Sequence, residues 1–353
     1  FIYKLLYFIH SLFIIISCLL RNIRLYSFYT SKILHKNETT KQLTSFRLYK
    51  IIFLIKLIEK KEFFCHSTLL FVPLHIVRKS TMTEGLVSVI MPTYNTANFL
   101  ADSIESILNQ TYKTNEFILI KDGMLTEKQN YIIKTILEEN KELFKVIELE
   151  ENMGPGFAYQ KGLEVCSNKW AAIMDSDDFA DKTKFEKQML YLSNHEDIDV
   201  IGTNAIEFKD NICNIVSKRI MPETNENIIE FAHGRCPIIQ PTAIFKVDSV
   251  IKAGNYQNMP IAEDYDLYIR MIKSGCKFYT YPEILYYVRV NDNFFKRRGG
   301  IKYLKIILNV KYKHYKDGFF TTSQFLKTFV ASFTVALMPN FFRIFIYKKF
   351  LRN

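Results

Sequence analysis

The chain has 353 residues, is 48% hydrophobic and carries a formal charge of +11, which suits one large domain with appendages and an ample core. The charge is unevenly spread: residues 1–81 hold 13 Lys+Arg against 3 Glu, residues 296–353 hold 13 against one Asp, and residues 82–295 hold 21 basic against 32 acidic side chains. An acidic body between basic ends argues against general nucleic-acid binding and points the aromatic-rich basic tail towards an anionic surface such as a membrane leaflet. The cysteines at 18, 65, 166, 213, 236 and 276 are scattered, with no CxxC and no Cys/His cluster at zinc spacing, so they read as reduced, packed thiols.

Residues 1–81 contain no Gly, Ala, Asp or Trp, and the first methionine is Met82. That bias towards residues with AT-rich codons reads as conceptually translated upstream sequence with the start at Met82. The competing reading is a membrane anchor over Leu5–Leu20, which needs residues 1–4 to reach spanning length.

From Leu86 the pattern alternates between strands and helices. Leu86–Met91 is a buried strand ended by Pro92-Thr93-Tyr94-Asn95. Asn98 is placed to cap a helix with Phe99, Leu100, Ile104, Ile107 and Leu108 on one face. Phe117–Ile120 is a second strand, ended by Lys121-Asp122-Gly123. Thr126 and Gln129 form a capping-box pair opening a helix to Glu139. Val146–Leu149 is a third strand, and the glycine-rich turn 152–156 leads into a helix from Phe157 to Val165. Trp170–Met174 is a doubly buried strand that runs into Asp175, Asp177 and Asp178. This order predicts a parallel, doubly wound α/β sheet whose strand ends at Thr93, Asp122 and Asp175–Asp177 meet in one crevice. Clustered carboxylates there suit a hard cation shared with phosphates, although each Asp also serves as an ordinary helix or turn cap.

The segments VSVIMPTYN, SIESILNQTY, FILIKDG, NMGPGFAYQKGL and MDSDD, in this order and spacing, resemble a family 2 glycosyltransferase of the GT-A fold, of the bacterial capsule and exopolysaccharide type. The resemblance implies that Pro92, Thr93, Tyr94, Asn95, Asp122 and Gly154 hold the nucleoside part of a nucleotide-sugar, usually UDP-linked. It makes Asp175 and Asp177 a DxD motif, with Asp177 on a divalent metal, Mn²⁺ or Mg²⁺, and Asp175 near the ribose. The third helix departs from the family pattern: Ala158-Tyr159-Gln160 stands where Ala-Arg-Asn or Ala-Leu-Asn is common.

In the second half, Lys182–Leu192 reads as a helix, Asp199–Phe208 and Ile215–Ile220 as strands, and Glu226–His233 as a helix. Cys236-Pro237 and Gln240-Pro241-Thr242 stand where relatives of the family often carry Asn-Pro and His-Pro-Thr. Glu263-Asp264-Tyr265-Asp266 opens a helix whose first turn favours acidic residues on dipole grounds alone. By resemblance it is the acceptor-side ED motif, with Asp264 as general base and Glu263 beside it. Lys277–Tyr281 and Leu285–Val288 are the last strands, followed by Arg289, Lys296, Arg297 and Arg298 as candidates to meet the diphosphate or as solvated surface charges.

Ile301–Tyr315, Ser323–Met338 and Asn340–Leu351 read as basic amphipathic helices that either lie on an anionic membrane or pack back on the domain. The predicted organisation is therefore a doubtful extension over 1–81, a GT-A domain over 82–298 and a helical tail over 299–353. The implied activity is metal-dependent, inverting transfer of one sugar to a saccharide or lipid-linked acceptor at the cytoplasmic membrane face. The rival readings are a catalytically silent partner subunit and a sugar nucleotidyltransferase.

Overall fold

The computed structural model describes residues 87–291, 298–339, 341 and 343. The extension over 1–81, the strand start at Leu86, Lys296, Arg297 and most of the helix predicted over Asn340–Leu351 lie outside the described residues.

The first half alternates as the apolar runs predict: β1 (Val87–Thr93), α1 (Leu100–Leu108), β2 (Glu116–Asp122), α2 (Glu127–Glu139), β3 (Phe144–Leu149), α3 (Pro155–Glu164) and β4 (Trp170–Ile173). The second half comprises β5 (Phe179–Ala180), α4 (Lys184–Asn194), β6 (Val200–Phe208), β7 (Ile215–Arg219), α5 (Asn225–Ala232), β8 (Ile244–Lys246), α6 (Val247–Lys252), α7 (Glu263–Lys273) and β9 (Phe278–Arg289). The tail supplies α8 (Gly300–Lys316) and α9 (Thr322–Leu337). The strands form one sheet in the order β3-β2-β1-β4-β8-β6-β9-β5, with β7 on β6. β1, β2 and β4 are buried almost throughout, because helices cover both faces. Two apolar clusters result, one on each face of the sheet.

Parallel register sets Ile90 beside both Ile118 and Ile173. This alignment brings the carboxyl ends of β1, β2 and β4 to one edge, where open α/β sheets bind ligands. Two glycines allow α3 to approach closely. A Cβ on Gly162 would stand 2.4 Å from Ile90 Cγ2, and one on Gly156 would stand 2.8 Å from the Gln257 carbonyl and 3.1 Å from Glu263 Cβ. The close packing at Gly156 draws α7 against the start of α3.

Three local readings change. Asn98 is no cap: the residue before α1 is Phe99, without a side-chain cap, and Asn98 Oδ1 instead accepts from Lys128 Nζ at 2.8 Å. The sheet is mostly parallel but turns antiparallel at β8, a three-residue strand within PTAIFKV too short to stand out as an apolar run. The two final strands are one, β9. It keeps pairing with β6 across Pro282 through register shifts at Asn204, whose Nδ2 donates to the Pro282 carbonyl at 2.9 Å. The Thr126–Gln129 capping box forms as read.

The tail packs back on the domain. Tyr265 and Ile269 of α7 meet Val310 of α8 and Phe320. Asp266, fully buried, accepts from Arg270 Nε at 2.8 Å, from Lys313 Nζ at 2.8 Å and from His314 Nε2 at 2.9 Å. Lys311 Nζ reaches the Gly234 carbonyl at 3.3 Å, Ser332 Oγ at 2.9 Å and Thr328 Oγ1. The outer face of α9 stays apolar and exposed at Leu326, Val330, Phe333 and Leu337. Among the described residues, no helix is long and apolar enough to cross a membrane.

Burial pushes Asp266 upward, but bonds from His314 and Lys313 and the Arg270 charge outweigh it and hold the carboxyl well below its usual range. Its stabilising contribution is therefore present above the unfolded-state carboxylate pKa and is lost as pH falls through the folded-state value. Asp266→Asn should lower the unfolding free energy by about 3 kcal/mol near neutral pH, measured by urea titration of the full chain, because it leaves the largely buried Arg270 and the half-exposed Lys313 without their counter-charge. The gap between variant and wild type should narrow on acidification.

Candidate active site

The site is built where β1, β2 and β4 end. Pro92 and Thr93 close β1, with Thr93 buried and Tyr94 and Asn95 opening to solvent. Thr93 Oγ1 lies 3.0 Å from Thr96 Oγ1, which lies 3.0 Å from Ser176 Oγ, so the loops after β1 and β4 are hydrogen-bonded to each other. Gln129 Nε2 donates to the Tyr94 carbonyl at 2.7 Å and fixes this loop against the start of α2.

Asp122 ends β2 and is buried. Its Oδ1 accepts from Met153 N–H at 2.8 Å and its Oδ2 from Gly154 N–H at 3.1 Å. It thus holds the turn whose Gly154, at φ +85°, caps α3 in a conformation that favours glycine. One face of α3 carries Gly156, Tyr159 and Gly162. The Tyr159 hydroxyl donates to Asp175 Oδ1 at 2.6 Å. Tyr159 is the site residue that motif comparison passed over, and its three-residue spacing from both glycines was the available signal.

The motif around Ser103 also gains a physical meaning. Ser103 Oγ donates to the Asp178 carbonyl at 2.6 Å, and Ser106 Oγ accepts from Ala180 N–H at 3.2 Å. Gln110 Nε2 donates to the Asp181 carbonyl at 2.7 Å, and Thr111 N–H to that of Lys182 at 2.8 Å. A single helix edge therefore fixes the loop that carries the acidic residues. Arg289 closes it from the other side. Its guanidinium lies over the Phe99 and Phe208 rings, at 3.9 and 4.7 Å, and Nε donates to the Asp177 carbonyl at 2.9 Å. Arg289 therefore braces the loop, and Arg298 is half-buried.

Asp175 and Asp177 are half-buried and Asp178 is buried. Asp178 Oδ1 accepts from Arg289 N–H at 2.7 Å, while its Oδ2 is buried without a hydrogen-bond partner. Burial, then the charges of Asp177 and Asp175, drive its carboxyl far upward. Glu263 and Asp264 enter from α7, which begins after Ala262 in the left-handed region at φ 66°, a cost of about 1 kcal/mol for a non-glycine residue. Burial, the Asp264 charge and, more weakly, Asp175 push Glu263 up to about 8, against its own backbone hydrogen bond. Asp264 Oδ1 accepts from Tyr265 N–H at 2.7 Å, and Cys236 Sγ donates to Oδ2 at 3.3 Å. Asp266 faces the tail instead.

The structure therefore brings the carboxylates that follow β4 and the Glu263–Asp264 pair that opens α7 into electrostatic range. A hard divalent cation fits the first group: its donors are carboxylate oxygens, mutually repulsive, one of them buried without a partner. Among the described residues, no three His, Cys, Asp or Glu side chains are arranged to hold a metal by themselves.

The sequence profile described as "Glycosyl transferase family 2" matches residues 88–250. An uncharacterized glycosyltransferase of Haemophilus influenzae is 32% identical over 268 residues, 75% of this chain and 99% of that protein. The chain belongs to glycosyltransferase family 2. Another relative, the UDP-Gal:alpha-D-GlcNAc-diphosphoundecaprenol beta-1,3-galactosyltransferase of Escherichia coli, is 29% identical over 75% of this chain and 96% of its own length. In fold, the mannosyltransferase PcManGT of Pyrobaculum calidifontis, solved with GDP-Man and Mn²⁺, superposes with a TM-score of 0.54 at 16% identity, covering 74% of this chain and 73% of its own. The fold is GT-A and the protein is a transferase.

Asp178→Asn removes a raised carboxyl from this cluster. The folded wild type binds that proton more tightly than the unfolded chain, so wild-type stability falls as pH rises above the unfolded-state carboxylate pKa. The variant should gain at least about 1 kcal/mol over wild type at pH 8 and lose that advantage near pH 4 in paired urea titrations.

Proposed function

We propose that this family 2 enzyme is a metal-dependent, inverting transferase. It moves one sugar from a UDP-linked donor to a saccharide or lipid-linked acceptor in cell-surface polysaccharide synthesis. The observation that carries this reading is the division of five carboxylates between the end of β4 and the start of α7. Asp177 would hold the divalent ion, Mn²⁺ or Mg²⁺, completed by diphosphate oxygens and water; when bound, the ion neutralises the leaving diphosphate. Pro92, Thr93, Tyr94 and Asn95 form the wall for the nucleoside. Both Asp122 oxygens keep a lone pair beyond those engaged with the Met153–Gly154 turn. Tyr159 fixes Oδ1 of Asp175, so the other carboxylate oxygen addresses the ribose.

On the acceptor side, Glu263 keeps its proton at neutral pH and does not compete as base. Asp264 takes the proton of the acceptor hydroxyl as that oxygen attacks the anomeric carbon from the face opposite the departing nucleotide. The exposed stripe of α9 and the basic tail would bring the enzyme to an anionic leaflet, where a lipid-linked acceptor resides.

Calorimetry should find Mn²⁺-dependent binding of UDP in preference to GDP, CDP or dTDP, lost in Asp177→Asn. Asp264→Asn should bind UDP as wild type does and lose transfer by about 10²–10⁴-fold. Binding without turnover by the wild type would favour the silent-subunit reading. For the tail, vesicles rich in anionic phospholipid should capture the full chain, and Phe333→Ser with Leu337→Ser should weaken capture by about thirtyfold or more, because each change removes apolar area that the bilayer would bury, worth about 1 kcal/mol or more. Equal capture by neutral vesicles would remove the electrostatic part of this proposal.

A further inference from the structure

Cys236 stands where the family often carries asparagine, and sequence alone assigned it no role beyond that of a packed thiol. Its surroundings are specific. The half-buried Sγ lies 3.3 Å from Asp264 Oδ2 and 3.3 Å from the Ile238 carbonyl, with one proton to give. Asp264 Oδ1 accepts from the Tyr265 N–H of its own helix at 2.7 Å, which ties that oxygen to the backbone. Oδ2 takes the thiol and keeps a second lone pair for an acceptor hydroxyl. The segment that presents Cys236 is held in place: the Gly234 carbonyl accepts from Lys311 Nζ and Thr328 Oγ1 of the tail, each at 3.3 Å, and the Arg235 guanidinium lies over the Phe231 ring at 4.5 Å.

We propose that Cys236 is a positioning residue for the transfer reaction: its thiol orients Oδ2 of Asp264 towards the acceptor hydroxyl and turns to the Ile238 carbonyl when Asp264 takes the proton. The inference rests on Asp264 being the base. A thiol is a weak donor, so it fixes the carboxylate without withdrawing much of its basicity, whereas a hydroxyl in the same place would lower it. The step balances: the O–H bond of the acceptor breaks, the O–H bond on Asp264 forms, and the thiol keeps its proton while changing partner. The other groups around Asp264 are Glu263 and Tyr265 on its own helix with Tyr268, Tyr256 before that helix, and Arg219 on β7. Only Cys236 donates a side-chain hydrogen bond to Asp264 among the bonds the described residues display. Burial first, then the charge and hydrogen bond of Asp264, raise the Cys236 thiol well above its usual range.

Two readouts on the full chain test this, and the first needs no substrate. Iodoacetamide labelling of Cys236, followed by peptide mass mapping at fixed pH, should run about tenfold faster in Asp264→Asn, because loss of the neighbouring charge lowers the thiol pKa by about one unit. Labelling of Cys166 and Cys276 should be unchanged. The second readout is the pH profile of UDP-glucose, UDP-galactose and UDP-GlcNAc hydrolysis, with water standing in for the acceptor. Cys236→Ser should move the acid limb down by about half a unit and Cys236→Ala should move it up, both with wild-type UDP affinity. Serine should restore part of the kcat that alanine loses. Unchanged labelling in Asp264→Asn overturns the proposal, as do hydrolysis profiles of both Cys236 variants that superimpose on wild type. Faster labelling in an Asp264→Asn variant that still hydrolyses donor would keep the coupling and remove the base assignment instead.

Discussion

The constraint on which the site depends is the repulsion among carboxylates gathered at one sheet edge. Asp175, Asp177 and Asp178 follow β4 within five residues, and Glu263 lies close enough to feel the charge of Asp175. No fold collects such charges without compensation. Part of it is proton uptake, visible in the raised carboxyls of Asp178 and Glu263. Part is local hydrogen bonding, from Tyr159 to Asp175 and from Arg289 N–H to Asp178. What repulsion remains is of the kind that a hard cation with oxygen ligands would offset, and the cluster's carboxylate oxygens are donors of that chemistry.

Holding that arrangement requires rigid support, and the support comes from distant parts of the chain. The polar edge of α1 fixes the loop after β4, and Arg289 from the end of β9 stacks across it. At the start of α7 the tail is the brace. Asp266, two residues beyond Asp264, is bonded to Lys313 and His314, and the same helix reaches the Gly234 carbonyl, two residues before Cys236. The segments on either side of Asp264 are thereby tied to α8. The tail is a structural support for this carboxylate pair as well as the carrier of the exposed apolar stripe on α9.

The sequence was most legible where burial is two-sided. The β1, β2 and β4 runs leave no polar alternation, and their order forces the convergence of Thr93, Asp122 and Asp175. It was least legible where side chains act across long separations. Nothing local distinguishes Asp266 from Asp264: both sit in the first turn of one helix, and only the position of α8 makes one a buried anchor. Cys236 and Tyr159 were hidden for the same reason, since their partners lie 28 and 16 residues away. The strand β8 was missed because three residues carry no periodicity, and β9 was split because a proline in a strand ordinarily ends it, whereas here a register shift accommodates it.

The departure at Gln240 follows from the same packing. Its Oε1 accepts from the Tyr268 hydroxyl at 2.5 Å and its Nε2 donates to the Tyr256 hydroxyl. A neutral histidine also offers one donor and one acceptor, so glutamine keeps both bonds while removing a group that titrates near neutral pH. Tyr256 in turn packs against Tyr159, with ring centroids 5.3 Å apart, and Tyr159 holds Asp175. Two of the departures from the family pattern, Tyr159 and Gln240, are therefore linked through one aromatic contact. A buried, neutral ladder runs between the carboxylates after β4 and those at the start of α7, and a cation introduced at 240 would oppose the upward push that burial and then the Asp264 charge give Glu263. Gln240 thus keeps both tyrosine hydroxyls bonded and adds no charge beside Glu263 and Asp264 at any pH.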